Sequence, residues 1–455
     1  MILVSYVMLL CQINMLKIDI LNLEWPENQR DSFVIAPILI ELRRRGFSCI
    51  SGDIFSYVHL LSRYRPKILL ITSFQGAKIN DWVCRIANSL GIKVISLMAE
   101  GNLREEVIDY MTWGNNIDKT IYFEKLLVWS DRSRDLIVKH FPTLEKRVST
   151  VGAVGFDRYK YIKFKDKESF LEENGFEYRK IVGFAGWSFD MVHDTPYFRK
   201  HKQTILKNFW PGQLELHQSD LEKIRRSLVR LVSSNEDVLF IARPHPSILE
   251  EGYDEFQDIK KFKNVYYASP KSCEYSISDL INIADVWGGY ETTTVLEAWL
   301  LGKETFLYNP SGKDFNRDEL CFGTFIAETE DDLMKVFVDP INFGRNLLER
   351  CDIKTRRKEI IKNSIGFDDG LNFKRASNII EKIALTTCNP IYDSSMLKAK
   401  LSILQNVKYH LSQLQLIRRF LGLRKIDNLQ IENIIRIYEP CLPNSELQDL
   451  TNIDV

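Results

Sequence analysis

The sequence predicts an α/β protein made of two doubly wound domains, each with a parallel β-sheet between layers of helices. Short runs of Ile, Val and Leu alternate with amphipathic stretches from Leu16 onward, and the alternation restarts near Lys180. Continuous apolar runs bounded by turn residues are typical of strands buried on both faces. The length of 455 residues is enough for two or three domains, each with its own core.

The first domain is predicted over residues 15–157. Strand-like runs occur at 17–23, 67–73, 93–101, 125–130 and 147–156, and helical patterns occur near 32–45, 80–90 and 131–140. The stretch 158–179 is dense in charge of both signs and has no apolar run of strand length, so it is predicted to be the linker.

The second domain is predicted over residues 180–390. Strand-like runs occur at 180–186, 237–246, 264–269, 284–290 and 303–310, and helical patterns occur at 219–233, 276–283 and 291–302. The acidic residues 328–332 favour a helix start, because negative charge is stabilised there by the helix dipole. Two domains of this kind are expected to face a cleft.

Both ends of the chain differ from these domains. Residues 1–14 are apolar but lack a basic region and a cleavage site, so they are either an extension outside the fold or a weak membrane anchor. Residues 391–455 are predicted to be a helical, basic tail. Between 396 and 426 leucines recur at steps of three and four, with seven Lys or Arg and no acid between 394 and 426. This helix either packs on its own protein or rests on an anionic membrane surface.

Composition excludes several classes of protein. Lys plus Arg and Asp plus Glu both number 61, which argues against a general nucleic-acid binder. The eight cysteines are scattered singly, without the paired spacing of a metal site, and are interpreted as reduced thiols. We therefore expect a cytoplasmic protein, either free or peripheral on the inner face of the membrane.

The stretch 284–310 carries the clearest chemical pattern. A strand ends in glycines, Gly289 among them, and a helix opens with Thr292, Thr293 and Thr294, followed by Glu297. Glycines let a ligand approach the backbone, and helix-start N–H groups beside hydroxyls suit a phosphate. Glu297, one turn further on, could accept hydrogen bonds from ribose hydroxyls. The alternative is that Thr292 only caps the helix and Glu297 is solvated.

A second pattern lies at the end of the neighbouring strand. Arg243 and His245 alternate with prolines there, and ligands bind at this edge of open α/β sheets. The prolines fix the backbone and leave both side chains able to meet a phosphate. Gly186 ends the first strand of the same domain.

With these motifs the sequence resembles the GT-B glycosyltransferases, especially bacterial enzymes of capsule and lipopolysaccharide synthesis. It is more distantly similar to CDP-glycerol glycerophosphotransferases and bacterial polysialyltransferases. The architectural resemblance covers residues 16–310, and the specific motifs are His245-Pro246, Thr292–Thr294 with Glu297-Ala298, and Gly152–Asp157.

The resemblance implies a donor site that holds a nucleotide sugar. His245 and the threonines would bind the phosphates, Glu297 the ribose, and Gly186 would lie near the phosphates, with Arg243 as a further phosphate partner. Residues 152–157 depart from the family pattern, with Ala, Val and Gly where it has Asn, Pro and Arg, and are assigned to the hinge.

For the acceptor side the candidate is Glu100, at the predicted tip of a strand in the first domain. Its carboxylate could act as general base on an acceptor hydroxyl, while His245 stabilises the departing phosphate. No D-x-D stands at a strand end, no G-x-G-x-x-G follows the first strand, and no G-x-S-x-G is present.

We therefore expect a metal-independent transferase that needs no cofactor beyond its nucleotide-sugar co-substrate and passes the sugar to a surface glycan. Three alternatives stay open: a nucleotide-sugar 2-epimerase, a CDP-alditol phosphotransferase, and a non-catalytic partner in glycan assembly.

Overall fold

The computed structural model describes residues 15–25, 29–72, 78–98, 100–207, 212–246, 253–270, 272–312, 322–348, 351–401 and 429–443. They form two compact units. The first unit contains the described residues up to Ile162 and those from Lys362 onward, and the second contains those from Lys163 to Ile361.

A six-stranded parallel sheet lies at the centre of the first unit. Its strands are β1 (Leu16–Glu24), β2 (Cys49–Asp53), β3 (Tyr64–Ile71), β4 (Lys93–Leu97), β5 (Phe123–Val128) and β6 (Val148–Thr150). Their order in the sheet is β2-β1-β3-β4-β5-β6. The strand order reverses between β1 and β3, and in open α/β sheets ligands bind at the carboxyl ends of strands at such a point.

Helices separate these strands along the chain. They are α1 (Gln29–Arg44), α2 (Tyr57–Arg63), α3 (Lys78–Ser89), α4 (Ile108–Trp113), α5 (Asp131–His140) and α6 (Arg158–Tyr161). The buried apolar side chains of this unit form two clusters. One cluster contains side chains of α3, and the other contains side chains of α1. The predicted strands and helices of this half are confirmed, and β2, α2, α4 and α6 are additions to them.

A second six-stranded parallel sheet lies at the centre of the second unit. Its strands are β7 (Lys180–Ala185), β8 (Val238–Arg243), β9 (Val265–Tyr267), β10 (Val286–Gly289), β11 (Glu304–Tyr308) and β12 (Phe325–Ala327). The order is β12-β11-β10-β7-β8-β9. This is the Rossmann order of strands, with the reversal between β7 and β10.

The second unit also alternates strands with helices. These are α7 (Lys167–Asn174), α8 (Pro196–Lys207), α9 (Gln213–Ser234), α10 (Ile277–Ile283), α11 (Thr294–Leu300), α12 (Glu330–Val338), α13 (Pro340–Leu348) and α14 (Cys351–Ile365). The acidic stretch before α12 forms the predicted helix start: Thr329 and Asp332 make a capping box. α14 leads the chain out of the second unit.

Three more helices return to the first unit: α15 (Asn372–Thr386), α16 (Ser394–Lys400) and α17 (Leu429–Tyr438). Phe373 and Ile380 of α15 and Ile434 of α17 are buried in the same cluster as α1. Leu397 of α16 is buried in the other cluster. The described residues from 362 onward thus complete the core of the first unit.

Two of the expected domain boundaries differ from this arrangement. The second domain was predicted to extend to residue 390, yet α15 packs on α1, because its apolar stripe fits the face of α1 that the sheet leaves uncovered. The stretch 158–179 was predicted to be a linker, yet it contains α7, whose Phe170 is fully buried in the second unit.

The predictions for the two ends concern residues mostly outside the described ranges. The extension 1–14 lies outside them, and so does most of the basic stretch 396–426. Of the latter, residues 396–401 are described, and Leu397 and Leu401 pack on the first unit itself. In the described parts of the chain no helix is both long and apolar enough to span a membrane.

Candidate functional site

In the second unit, the tips of β7, β8 and β10 bring together most of the residues that the sequence singled out. Gly186 follows β7, Arg243 ends β8 and Gly289 ends β10. β7 pairs with β8 on one side and with β10 on the other, so these tips are adjacent. The backbone N–H of Gly186 donates to the carbonyl oxygen of Arg243 at 2.7 Å, which ties the first two tips together.

His245 lies just beyond β8 and contacts the loop after β7. Its Nδ1 lies 2.6 Å from Oγ of Ser188. Burial lowers the pKa of His245, and the negative charge of Asp190 opposes this only in part. The imidazole is therefore neutral at pH 7, with its orientation fixed by Ser188.

Arg243 is half-buried beside His245. One guanidinium nitrogen, Nη1, donates to the carbonyl oxygen of Ala268 at 3.0 Å, beyond the end of β9. Burial lowers the pKa of Arg243, but an arginine keeps its charge in proteins. The site thus combines a fixed cation with a neutral imidazole at the ends of adjacent strands.

The two glycines of the site are required by close packing. A Cβ on Gly289 would lie 2.6 Å from the carbonyl oxygen of Ala185 and 2.9 Å from a methyl of Thr292. A Cβ on Gly186 would lie 3.0 Å from a carboxyl oxygen of Glu255 and 3.1 Å from the backbone nitrogen of His245. Both glycines therefore allow the strand tips to approach one another.

The threonine run opens α11, but two of its hydroxyls bond locally. Oγ1 of Thr292 and Oγ1 of Thr294 are 2.8 Å apart, and the backbone N–H of Thr294 donates to Oγ1 of Thr292 at 3.2 Å. The indole N–H of Trp287 donates to Oγ1 of Thr294 at 2.8 Å. Thr293 is exposed, and Glu297 is half-buried one turn further on.

A buried polar network adjoins these tips and was missed by the sequence analysis. The hydroxyl of Tyr290, the residue after β10, donates to Oδ2 of Asp220 at 2.9 Å. Nδ1 of His217 lies 2.8 Å from the same hydroxyl, and all three residues are fully buried. Since the phenol has one hydrogen, its oxygen accepts from Nδ1–H of His217. Nε2 of His217 then accepts from the amide of Gln213, 3.1 Å away.

This network joins α9 to three strand tips. His217 and Asp220 belong to α9, and the ring of His217 lies against Trp187, with centroids 4.5 Å apart and planes at 30°. Ser311, beyond β11, donates to the other oxygen of Asp220. No sequence signal marked His217 or Asp220, since both lie within the apolar stripe of a long helix.

Glu100, the predicted general base, lies in the first unit. It follows the end of β4 and is exposed. The next residue, Gly101, lies so close to Trp129 that a Cβ would be 2.4 Å from the indole ring. The indole N–H of Trp129 donates to the carbonyl oxygen of Met98 at 2.6 Å, which fixes the backbone before Glu100.

A second carboxyl in the first unit was also missed. Glu24 ends β1 and is 4% exposed. Its oxygens accept from Oγ of Ser32 at 2.8 Å and Oγ of Ser51 at 3.2 Å. Burial raises the pKa of Glu24 to about 7, with smaller contributions from the negative charges of Asp31 and Asp53. The sequence signal that could have identified this residue is a glutamate at the end of a run of apolar residues.

The two-sheet architecture is that of the GT-B fold. A protein from Listeria monocytogenes assigned as a UDP-N-acetylglucosamine 2-epimerase superposes with a TM-score of 0.53 at 13% identity, over 82% of this chain and 98% of that one. A UDP-GlcNAc 2-epimerase from Neisseria meningitidis gives a TM-score of 0.49 at 13% identity, over 82% and 100%. A glycosyltransferase from Rickettsia africae gives 0.42 at 12% identity, over 81% and 99%.

No protein-family profile matches the chain, and no curated protein does. At such low identity, the likeness to the Listeria protein establishes the fold and not the activity.

Proposed function

We propose that this chain is a nucleotide-sugar enzyme, a metal-independent glycosyltransferase that passes a sugar from its donor to a surface glycan. The observation that carries the proposal is the pairing of Ser188 with His245 beside Gly186 and Arg243. These residues lie at the carboxyl ends of β7 and β8, next to the reversal of strand order. In open α/β sheets this is where nucleotides bind.

The chemistry of these side chains suits a nucleoside diphosphate. Arg243 offers a fixed positive charge, and a guanidinium can bind phosphate oxygens in a bidentate way. His245 is held in one orientation by Ser188. Both groups would stabilise the negative charge that builds on the leaving phosphate as the bond to the sugar breaks.

The rest of the proposal concerns the acceptor. Glu100, exposed at the end of β4, would remove the proton from an acceptor hydroxyl as its oxygen attacks the anomeric carbon. A glycan or a lipid-linked glycan supplies such a hydroxyl. The basic stretch 396–426 would keep the protein near an anionic membrane that carries the acceptor.

Calorimetric titration tests the donor site. The full chain is titrated with UDP, CMP, GDP and CDP, with and without magnesium, and the best ligand is repeated on His245→Ala and Glu297→Ala. We expect one nucleotide to bind without metal and each variant to weaken it at least about tenfold, or about 1.4 kcal/mol. Lys335→Ala, an exposed change on α12, is the control and should bind as the wild type does.

No binding of any nucleotide by the wild-type chain would contradict the proposal. Binding that depends strictly on magnesium would contradict its metal-independent part. Preference for CDP would favour the phosphotransferase alternative.

A 2-epimerase is the second candidate, favoured by the fold likeness to the Listeria protein. An epimerase converts its nucleotide sugar without any acceptor. Incubation of UDP-N-acetylglucosamine with the chain alone, followed by proton NMR, separates the two. Inversion at C2 in the absence of acceptor supports the epimerase, and an unchanged donor contradicts a 2-epimerase that acts on this nucleotide sugar.

A further inference from the structure

Glu255 lies directly beneath the turn that joins β7 to Ser188. It is fully buried, and its Oε1 accepts from the backbone N–H of Trp187 at 2.9 Å. Its Oε2 has no hydrogen-bond partner among the described residues and lies 3.0 Å from where a Cβ on Gly186 would stand. An unpartnered buried carboxyl oxygen is costly unless the group is neutral.

Burial and the charge of Asp254 favour the neutral form of Glu255. Asp254 is adjacent in sequence and carries a negative charge. Lys260 pairs with Asp254 at 3.0 Å, and the guanidinium of Arg225 donates to the carbonyl oxygen of Asp254 at 2.9 Å. Both neighbouring cations thus bond to Asp254, and the charge of Arg225 opposes the neutral form of Glu255 by less than burial favours it.

The titration of Glu255 follows from these surroundings. Burial raises the pKa of Glu255 to about 8, an effect that the Trp187 N–H opposes and Asp254 reinforces. The imidazole of His245 is neutral and is bound to Ser188. His217, whose ring lies against Trp187, and Asp190, whose charge acts on His245, are the other titratable groups near this turn. Glu255 is a fully buried group beneath the turn whose charge changes near pH 8.

The turn links Glu255 to the candidate phosphate site. The backbone N–H of Trp187 donates to Glu255, and the hydroxyl of the next residue, Ser188, lies 2.6 Å from Nδ1 of His245 and orients it. The Trp187 ring also lies against His217. A carboxylate formed beneath this turn would draw in water or a cation, and would repel a phosphate bound above it.

We propose that Glu255 is a positioning residue that acts in its neutral form, holding the Gly186–Ser188 turn and hence His245 in the arrangement that binds nucleotide phosphate. This inference rests on the proposed function of the same site. Loss of the Glu255 proton then weakens nucleotide binding, so the site is sensitive to mildly alkaline pH.

The test compares nucleotide affinity between pH 6 and pH 9.5 in the wild type, Glu255→Gln and Glu255→Ala. The probe is the nucleotide that binds best among UDP, CMP, GDP and CDP, titrated calorimetrically in phosphate-free buffer. Glutamine has the shape of the protonated carboxyl and keeps an acceptor for Trp187. Glu359→Gln, an exposed change on α14, is the matched control.

We expect the affinity of the wild type for the nucleotide to fall at least about tenfold between pH 7 and pH 9. A tenfold loss corresponds to about 1.4 kcal/mol of binding free energy. Glu255→Gln should match the wild type at pH 7 and stay nearly constant to pH 9. Glu255→Ala should bind weakly throughout, and Glu359→Gln should follow the wild type. A Glu255→Gln profile that falls as the wild type does would overturn the proposal, and so would normal binding by Glu255→Ala.

Thermal unfolding without ligand separates this inference from the proposed function. A raised carboxyl pKa stabilises the fold fully below pH 4.5, and this contribution is lost as pH rises to about 8. The melting temperature of Glu255→Gln should therefore rise relative to the wild type over this window. If the wild type binds no nucleotide, the proposed function fails. If the difference in melting temperature between Glu255→Gln and the wild type does not change with pH, Glu255 is not neutral and the further inference fails.

Discussion

The two units share a six-stranded parallel sheet but differ at the carboxyl edge where ligands bind. In the first unit this edge carries the buried carboxyl of Glu24 and the Asp31 carboxylate, which accepts from Thr72 at 2.9 Å. In the second unit it carries glycines, Arg243 and His245. One edge thus offers acid and base groups, and the other offers a fixed cation beside closely packed backbone.

The difference suits the two edges to different chemistry. Cations and N–H groups, which the second edge carries, can bind a phosphate. A carboxyl group with a pKa near neutral, such as that of Glu24, can exchange a proton with a hydroxyl group. The two edges also differ in how the chain builds them: the second unit is continuous, and the first needs both ends of the chain.

The largest expected effect follows from this last difference. A chain that ends at residue 361 lacks α15, α16 and α17, which bury Phe373, Ile380 and Tyr438. We expect the first unit of this shortened chain to lose cooperative unfolding and to be cut rapidly by protease, because each lost aromatic or aliphatic side chain costs about 2 to 5 kcal/mol.

The matched fragment is residues 163–361 alone. It holds the whole second sheet, and we expect it to unfold cooperatively in a denaturant titration followed by circular dichroism. A folded chain ending at residue 361, or an unfolded 163–361 fragment, would contradict the division into a continuous and a discontinuous unit.

The next effect concerns the buried network of the second unit. Tyr290→Phe removes the hydroxyl that accepts from His217 and donates to Asp220. Two fully buried polar groups then lose a partner, and each costs about 1 to 3 kcal/mol. Urea unfolding should show this loss. Tyr308→Phe, which removes a hydroxyl 2.8 Å from Ser227, is the comparison and should cost less.

Much of the fold could be predicted from sequence because buried parallel strands are continuous apolar runs. Ten of the twelve strands were expected close to their observed positions. β2 and β12 were not, since CISGD has one strongly apolar residue, Ile50, and FIA is only three residues long. The return of α15 to the first unit could not be predicted. An amphipathic helix shows which of its faces is buried but not which domain covers that face.

The candidate site was predictable only where local chemistry is unusual. The prolines around His245 and the glycines at strand tips stand out in any sequence. Glu255 lies in an acidic stretch that is typical of a solvated loop, and its burial depends on packing under Gly186. Glu100, chosen by its position at a strand end, occupies that position but is exposed.

A third effect tests the first unit's edge through pH. Glu24 has a raised pKa of about 7 in the folded chain against 4.5 otherwise. Its contribution to stability is complete below pH 4.5 and is lost as pH rises to about 7, with a slope of up to about 1.4 kcal/mol per pH unit. Glu24→Gln keeps the contacts with Ser32 and Ser51 and should remove this slope. An unchanged slope in urea unfolding at pH 5, 6 and 7 would show that Glu24 is ionised throughout.

The smallest effect concerns the segment where the chain re-enters the first unit. Asp157 is buried, and its carboxyl accepts from the side chain of Asn372 and the backbone N–H of Phe373, both at 2.8 Å. It therefore caps α15 from a distant part of the sequence. Asp157→Ala should cost about 1 to 2 kcal/mol, as the loss of a cap does.

Asp157→Asn separates capping from charge. Burial raises the pKa of Asp157 to about 8, so the carboxyl is neutral at pH 6. Asparagine keeps one of the two acceptor oxygens, so Asp157→Asn should lose less stability than Asp157→Ala in urea unfolding. If both variants lose the same stability at pH 6, the carboxyl is ionised there and its charge holds α15. If neither variant loses stability, the apolar contacts of residues 362–386 are enough to hold them in the first unit.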